Sequence, residues 1–263
     1  MAELRRGSCD GAPHEILDPR DLKYCRNRCD AHWDPADDPF AWRGRLPLAR
    51  WGLAEVVLIG GALVLVAALV AWWSPWAAVV PLAGAGWVVY FFRDPRRCVP
   101  RSPGAVVAPA DGKVVEISPL ESDSRVGGPA VRVGIFLSVF DVHLNRAPVG
   151  ARVVALEYRP GRFLNALSSS SAEQNESTTI VLEAEEPLGG RLVVRQIAGA
   201  IARRIVCDLR PGQRLDRGER IGMIKFGSRT ELILPRSDDL EIAVSVGARV
   251  KAGETIIARY RGA

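Results

Sequence analysis

The feature that most constrains this chain is a long apolar stretch close to its N-terminus. From Gly52 to Phe92 the sequence carries one charged residue, Glu55, and Ser74-Pro75 divides the stretch in two. The first half has about the length that a helix needs to cross a bilayer, and the second is slightly short. We predict that residues 51–92 form a hydrophobic helical hairpin embedded in a membrane, the alternative being a hairpin buried inside a soluble protein. Aromatic residues, which favour the membrane–water interface, lie near the ends of both halves: Trp51, Trp72, Trp73, Trp76, Trp87 and Tyr90.

Positive charge flanks this stretch on both outer sides, and the Ser-Pro link carries none. The flanking residues are Arg43, Arg45, Arg50, Arg93, Arg96, Arg97 and Arg101. Because arginine-rich flanks remain in the cytoplasm, we predict a protein of the cell membrane whose following domain lies on the cytoplasmic face. The formal net charge of +5 suits an anionic phospholipid surface. The arginines form no helix-length basic stripe, so we predict no nucleic-acid partner.

Residues 1–50 are polar and lack helical or strand periodicity, which predicts a mostly irregular extension. No apolar core of a signal peptide occurs in the first part of this segment. The spacing of Cys25, Cys29 and His32 can supply part of a zinc site. The five cysteines of the chain nevertheless match no strong zinc or disulfide template. We therefore predict reduced thiols and no metal.

Residues 93–263 are predicted to form one domain after the apolar stretch. From Ala105 onward, short β-rich runs alternate with turns. The pattern predicts a mainly β domain with a sandwich or barrel-like architecture. A polar run, Ser168–Ser171, is predicted to form a loop over a site. The predicted strands are Val106–Val107, Lys113–Ile117, Val131–Phe140, Arg152–Tyr158, Thr178–Glu183 and Arg191–Ala198.

Two segments near the C-terminus resemble each other without a gap. Pro211–Ile221 and Val246–Ile256 share a glycine, an apolar residue three positions later, a second glycine, a glutamate and an isoleucine. Two glycines around a short apolar step suit a tight turn used twice. Such repeats occur in small β domains of the biotinyl/lipoyl type, so we predict repeats of that kind here.

Three positions in the β domain carry candidate chemistry. Ser228 follows Gly227, whose lack of a side chain permits backbone conformations that expose its carbonyl to the next hydroxyl. His143 is the sole histidine after the N-terminal extension and is the obvious acid or base near neutral pH. Asp111 lies in an Asp-Gly turn and can orient a histidine in a nucleophile–base–orienter set. By their spacing alone, these residues favour a Gly-Ser turn and a hydrogen-bonded structural histidine, and Asp111 can belong to an ordinary Asp-Gly turn.

Six motifs, in order along the chain, make residues 45–263 similar to the phosphatidylserine decarboxylase family, and more closely to its short bacterial form. They are Tyr90-Phe-Phe-Arg-Asp-Pro-Arg-Arg, Ala108-Pro-Ala-Asp-Gly-Lys-Val, Phe140-Asp-Val-His-Leu-Asn-Arg-Ala-Pro, Asn175-Glu-Ser-Thr-Thr-Ile, Gln196-Ile-Ala-Gly and Lys225-Phe-Gly-Ser-Arg. The resemblance implies a proenzyme that cleaves itself between Gly227 and Ser228. A large chain, 1–227, and a small chain, 228–263, would stay together as a heterodimer. Ser228 would become a covalent pyruvoyl group at the new N-terminus.

The resemblance also implies the reaction, conversion of phosphatidylserine to phosphatidylethanolamine in phospholipid biosynthesis. The pyruvoyl carbonyl would form a Schiff base with the headgroup amine and take up the electrons left by carbon dioxide. Asp111 and His143 would join Ser228 in a charge-relay set, and we expect His143 to return a proton to the product. Candidates for contact with substrate or membrane are Arg93, Arg96, Arg97, Asn175 and Glu176.

The chain departs from the family pattern at two positions. Longer members carry a second histidine three positions after the first, where this chain has Arg146. The Asn-Glu motif is commonly followed by arginine, where this chain has Ser177. Duties divided between two histidines elsewhere must therefore be shared or reassigned here, and an anion contact made by that arginine is in question.

The competing hypothesis is a membrane-tethered carrier or adaptor of the biotinyl/lipoyl type. It would explain the glycine repeats and would use Lys225 as the attachment point. Against it, Ile224 and Phe226 flank this lysine instead of the methionine that commonly borders attachment lysines. It also leaves Ser228, His143 and Asp111 without a role.

Overall fold

The computed structural model describes residues 41–164, 173–185, 188–200, 204–225 and 227–261. After a short 3-10 helix, Ala41–Arg45, two helices precede the β domain: α1 (Arg50–Ala71) and α2 (Val79–Phe91). The strands of the described residues are β1 (Ala105–Val107), β2 (Gly112–Asp123), β3 (Gly128–Leu137), β4 (Leu144–Arg146), β5 (Ala151–Arg159), β6 (Ser177–Ala184), β7 (Arg191–Ala198), β8 (Arg204–Cys207), β9 (Arg214–Leu215), β10 (Arg220–Lys225), β11 (Ser228–Pro235), β12 (Leu240–Ile242), β13 (Arg249–Val250) and β14 (Ile256–Tyr260).

The two helices are apolar on all sides and contact each other. A Cβ added at Gly84 of α2 would lie 3.4 Å from Leu63 of α1, an ordinary van der Waals distance, so the two helices pack directly against each other at this point. Among the described residues, α1 alone is long and apolar enough to cross a membrane by length and composition, whereas α2 is apolar but shorter. The turn between them presents indole rings that are 88–89% exposed: Trp72, Trp73 and Trp76. A membrane location for these helices stays a prediction.

The base of the helices packs on the β domain. Phe91 and Phe92 at the end of α2 are buried with Leu144 of β4 and Met223 of β10. A Cβ added at Gly52 would lie 2.0 Å from the Phe92 ring, so only glycine fits at that contact. The helices are thereby fixed against the two strands, β4 and β10, that carry candidate site residues.

The strands form three antiparallel sheets, which confirms the predicted mainly β class. The largest has eight strands in the order β13-β2-β3-β11-β7-β6-β5-β9, and two three-stranded sheets have the orders β1-β14-β12 and β4-β10-β8. Alternating apolar residues of these sheets meet in one main core that includes Ile135, Leu182 and Leu232. All six predicted strands are present, although β3 ends at Leu137 instead of Phe140. Ser138 ends it because its amide and hydroxyl both donate to the Asp141 carboxylate, at 2.8 and 2.6 Å.

The two C-terminal glycine repeats have matching local structure. Gly212 and Gly218 have φ of 84° and 81°, and Gly247 and Gly253 have φ of 97° and 75°. Each pair encloses a two-residue strand, β9 or β13, and these strands form the two opposite edges of the large sheet. The tight-turn prediction is therefore confirmed, while the likeness to biotinyl/lipoyl domains stays a prediction. The predicted loop Ser168–Ser171 and the Cys25, Cys29 and His32 group lie outside the described residues.

Candidate active site

Ser228 begins β11 in the middle of the large sheet, where it pairs with Leu137 of β3 and Ala198 of β7. Its side chain is fully buried, and its Oγ has no hydrogen-bond partner. A buried hydroxyl without a partner is unfavourable by about 1–3 kcal/mol, so such an atom in a native site calls for an explanation. Gly227 precedes it with φ of 49°, in the left-handed region that favours glycine.

His143 lies one residue before β4 and is also fully buried. Its Nδ1 is 2.9 Å from the backbone oxygen of Asp141. Because a carbonyl oxygen only accepts, Nδ1 carries the proton and Nε2 keeps its lone pair. Nε2 is buried without a partner. Its ring packs on Phe91 at a centroid distance of 4.4 Å, and burial lowers the pKa of His143 to about 4. The ring is therefore neutral at pH 7 and suited to accept a proton.

A buried hydrogen bond joins β4, which directly follows His143, to β11, which begins at Ser228. Asn145 Nδ2 donates to Thr230 Oγ1 at 3.1 Å, and residue 145 lies two positions after His143 while Thr230 lies two after Ser228. Residues two apart in an extended chain share a face. The hydrogen bond therefore links the segment that follows His143 to the segment that follows Ser228, and both segments carry a buried atom without a partner.

The amide of Asn145 belongs to a buried network that sequence reasoning did not select. Gln196 Nε2 donates to Asn145 Oδ1 at 2.7 Å, and Asn145 Nδ2 also lies 3.3 Å from the Pro109 carbonyl. A Cβ at Gly222 would lie 2.9 Å from Gln196 Nε2 and 2.5 Å from a backbone oxygen, so glycine makes room for the network. The available signal was a set of polar residues at strand positions that should be apolar.

Asp111 is held by partners other than the histidine. Arg97 Nη2 donates to both carboxylate oxygens, at 2.9 and 2.8 Å, and the Ala252 amide donates to one at 2.8 Å. No hydrogen bond joins Asp111 to His143 within the described part of the chain, where His143 uses the Asp141 carbonyl. Gly112 begins β2 with φ of 149°, and a Cβ added there would lie 2.1 Å from the backbone oxygen of Phe136 on β3, so glycine is needed for the close approach of the two strands. The charge-relay role of Asp111 stays a prediction.

Arg146, three positions after His143, is buried in an ion-pair cluster. Its Nη2 lies 2.6 Å from Asp94 Oδ1, and its Nη1 donates to the Gly218 carbonyl at 2.9 Å. Arg220 contacts the other Asp94 oxygen at 2.5 Å. The guanidinium is therefore committed to structure, and Asp94 is a partner that sequence reasoning missed.

The other predicted contact residues divide into exposed and structural ones. Arg93 stacks on Tyr90 with its guanidinium carbon 3.7 Å from the ring centroid, and Arg96 is exposed. Arg97 is occupied by Asp111. The Asn175 side chain accepts a hydrogen bond from the Leu164 amide and donates to the carbonyls of Leu164 and Ala198, the latter at 2.7 Å. Its polar atoms are therefore used by the backbone of the protein itself.

Asn175 and the buried Glu176 thus lie beside the strand position that pairs with Ser228. The Glu176 carbonyl accepts from the Ala198 amide at 2.9 Å. Within the described ranges, no group of three or more His, Cys, Asp or Glu side chains is placed to hold a metal ion.

Fold and site together define an antiparallel β protein with a buried serine at a strand start, a buried neutral histidine and an apolar helical segment. Comparison with known proteins then identifies the family. Residues 85–258 match the model of the phosphatidylserine decarboxylase family. The chain therefore belongs to that family, which is a family of enzymes, and the resemblance carried by the six motifs is confirmed.

Its relatives match over most of their length. A phosphatidylserine decarboxylase proenzyme of Rhodopirellula baltica is 53% identical over 242 residues, which cover 91% of this chain and 99% of that protein. Proteins with the same description from Desulfotalea psychrophila and Symbiobacterium thermophilum are 42% and 49% identical, covering 81% and 76% of this chain and 96% and 91% of theirs.

Proposed function

We propose that this protein decarboxylates phosphatidylserine to phosphatidylethanolamine with a pyruvoyl group that it makes from Ser228 by cutting itself after Gly227. The observation that carries the proposal is the buried, unpartnered Ser228 Oγ, directly after a glycine of positive φ. The unpartnered Nε2 of His143 supports it, because the Asn145–Thr230 hydrogen bond links the segments that follow the two residues. Family membership and the proenzyme descriptions of the relatives support processing and the lipid substrate.

Self-cleavage follows from these groups by ordinary acyl-transfer chemistry. His143 Nε2 takes the hydroxyl proton, and Ser228 Oγ attacks the Gly227 carbonyl. The carbon–nitrogen bond breaks, the departing nitrogen takes the proton, and an ester replaces the amide. Loss of the α-proton of residue 228 then expels the Gly227 carboxylate. One water hydrolyses the resulting unsaturated amine, which releases ammonia and leaves the pyruvoyl group.

The residues present fit such a group, because residue 228 is held between β3 and β7 in a water-poor interior. Once formed, the group supplies a carbonyl that takes up the headgroup amine and an electron sink for decarboxylation. His143, neutral with a free Nε2, accepts a proton from the reacting headgroup and holds it for return to the product. The buried Arg146, bound by Asp94, is unsuited to that exchange.

The sheet topology supports two chains that stay together after the cut. The small chain, residues 228–263, would carry β11, which is paired on both sides by strands of the large chain, residues 1–227. Its β13 and β14 pair with β2 and β1 of the large chain. Separating the chains would break these ladders and open the main core.

A membrane location is supported by the helices and by the arginines at their base. The exposed apolar surfaces of α1 and α2 need an apolar environment. Where the helices meet the β domain, a cavity of about 840 Å³ is lined by Arg45, Arg93 and Arg96, together with Asp94 and the two arginines that it holds, Arg146 and Arg220. Such a cavity suits phosphate groups of a lipid surface. We place the helices in the cell membrane and the β domain on its cytoplasmic face.

The carrier hypothesis has less support. Lys225, its attachment point, has a side chain that is 7% exposed and forms an ion pair with Glu55. An attachment lysine has to be reached by a modifying enzyme, and this one is enclosed.

Intact-mass analysis of the purified wild-type protein tests the proposed function. We expect two chains, 1–227 and 228–263, with the smaller one lighter by one ammonia than a chain with an unmodified serine terminus. A carbonyl-specific hydrazide should label only the small chain. A single uncleaved chain that decarboxylates phosphatidylserine would contradict the mechanism.

Mild acid is expected to leave the rate of self-cleavage nearly unchanged. Burial lowers the pKa of His143 from 6.5 to about 4, so the ring is still about 97% neutral at a pH of about 5.5. A histidine with its ordinary pKa would lose roughly tenfold in rate between pH of about 7.5 and about 5.5. Timed gels after cell-free synthesis measure the rate. A tenfold loss would contradict the buried neutral state.

The free energy of unfolding depends on pH in this range, although the rate of self-cleavage is expected to stay nearly constant. The experiment therefore needs a control for loss of folded protein. Between a pH of about 6.5 and about 4 the unfolded chain binds a proton at this histidine and the folded chain does not. The stability contributed by the neutral buried ring is therefore present above the unfolded pKa and declines as the pH falls through that window. Rates are compared only where circular dichroism reports a folded protein.

A further inference from the structure

Glu55 is a carboxylate in an otherwise uncharged apolar segment, and its partner lies far away in sequence. The side chain of Lys225 forms an ion pair with Glu55 Oε1. Lys225 is buried, and the other carboxylate oxygen of Glu55 is buried without a hydrogen bond. A charge within a membrane-embedded helix is unfavourable and usually serves a function together with its partner. This pair therefore calls for a role beyond attachment of the helix.

Lys225 occupies a special position relative to the bond that would be cut. It is the last residue of β10, which is held by β4 and β8, whereas Ser228 begins β11 in the large sheet. Only Phe226 and Gly227 connect the two strands. The position of the Gly227 carbonyl therefore depends on where the end of β10 is fixed, and the ion pair fixes that end from outside both sheets.

We propose that the Glu55–Lys225 ion pair is a positioning pair for self-cleavage, which holds the Gly227 carbonyl within reach of Ser228 Oγ only when α1 is packed in place. The inference rests on the proposed function. Acyl transfer needs the reacting atoms about 3–3.5 Å apart, and a displacement of about 1 Å lowers the rate roughly 100-fold. Maturation is thereby coupled to the seating of the membrane helix on the β domain.

The test uses the full-length chain, synthesised in a cell-free system with vesicles of phosphatidylethanolamine and phosphatidylglycerol, and follows the small chain on timed gels. The central variant is the double substitution Glu55→Gln with Lys225→Met. It removes both charges and leaves no unpaired one, so it is expected to fold, because the large loss of stability on breaking a buried ion pair comes from the uncompensated charge. We expect its cleavage to be about 10- to 100-fold slower than that of the wild type.

Three further variants separate positioning from stability. Lys225→Met and the double variant should be slowed to a similar extent, because the pair acts as one unit. Lys225→Arg keeps the charge and should cleave within about threefold of the wild-type rate. Glu121→Gln, at an exposed glutamate of β2, is the matched control and should leave the rate unchanged. Thermal unfolding is measured in a Ser228→Ala background, where every chain stays uncleaved.

The outcomes are distinct for the inference and for the proposed function. A wild-type chain that is never cleaved defeats the proposed function. A wild-type chain that is cleaved, together with a folded double variant cleaved at the same rate, overturns the positioning pair. A double variant whose slower cleavage is matched by a proportional loss of folded protein would also overturn it, because the pair would then act on stability alone.

Discussion

Ser228→Ala is expected to remain a single chain of 28.6 kDa and to form no phosphatidylethanolamine. In the proposed mechanism the substitution removes the oxygen that attacks the Gly227 carbonyl, and with it the precursor of the pyruvoyl group. No other group in the proposed mechanism replaces that oxygen, so the loss of activity should reach the detection limit of a lipid assay. Intact-mass analysis and release of carbon dioxide from phosphatidylserine measure the two effects.

The same variant should fold normally, which separates a chemical from a structural cause. Ser228 Oγ makes no hydrogen bond, so its removal breaks none. Relief of a buried unpartnered hydroxyl, about 1–3 kcal/mol, should leave the uncleaved chain at least as stable. Ser237→Ala, at an exposed serine after β11, is the matched control and should be cleaved and active. Cleavage of Ser228→Ala after residue 227 would place the nucleophile elsewhere.

Much of the β domain was predictable because its strands are signalled locally. Alternating apolar residues and glycine turns located β5, β6 and β7 to within a residue or two. The repeat of glycines predicted two equal tight turns, since positive φ at each favours glycine. The division of these strands into three sheets was not predictable, because pairing between β11 and β3 or β7 depends on contacts far apart in sequence.

The sequence named the candidate site residues, but it did not predict their hydrogen-bond partners. The structure shows Ser228 and His143 both buried with an unpartnered atom, and their catalytic roles stay predictions. Asp111 was expected to orient the histidine, and the structure gives it Arg97 and the Ala252 amide instead. The ion pair of Glu55 with Lys225 joins residues 170 positions apart. Each of these charged residues lies in a separate segment of the sequence. Its partner is determined by tertiary packing, which local sequence patterns do not reveal.

His143→Gln is expected to slow self-cleavage by about 10²- to 10⁴-fold, the range that a positioned general base contributes. Glutamine retains an amide that can donate to the Asp141 carbonyl, but it offers no basic nitrogen towards Ser228. The proenzyme should therefore accumulate as a folded, uncleaved chain on timed gels. His14→Gln, in the N-terminal extension, is the matched control and should mature at the wild-type rate. Normal maturation of His143→Gln would remove this histidine from the cleavage step.

The slowly matured fraction of the same variant decides whether His143 has a second duty. Given enough time, some His143→Gln chains will be cleaved, and their turnover can be expressed per pyruvoyl group titrated with hydrazide. If His143 also returns the proton to the product, turnover per group should fall by about 10²-fold or more. Wild-type turnover per group would assign that proton to another donor. Arg146 is a poor candidate for it, since its guanidinium is held by Asp94 and the Gly218 carbonyl. A fall in turnover per group would instead show that a single histidine serves both steps, which would account for how this chain works with arginine at position 146.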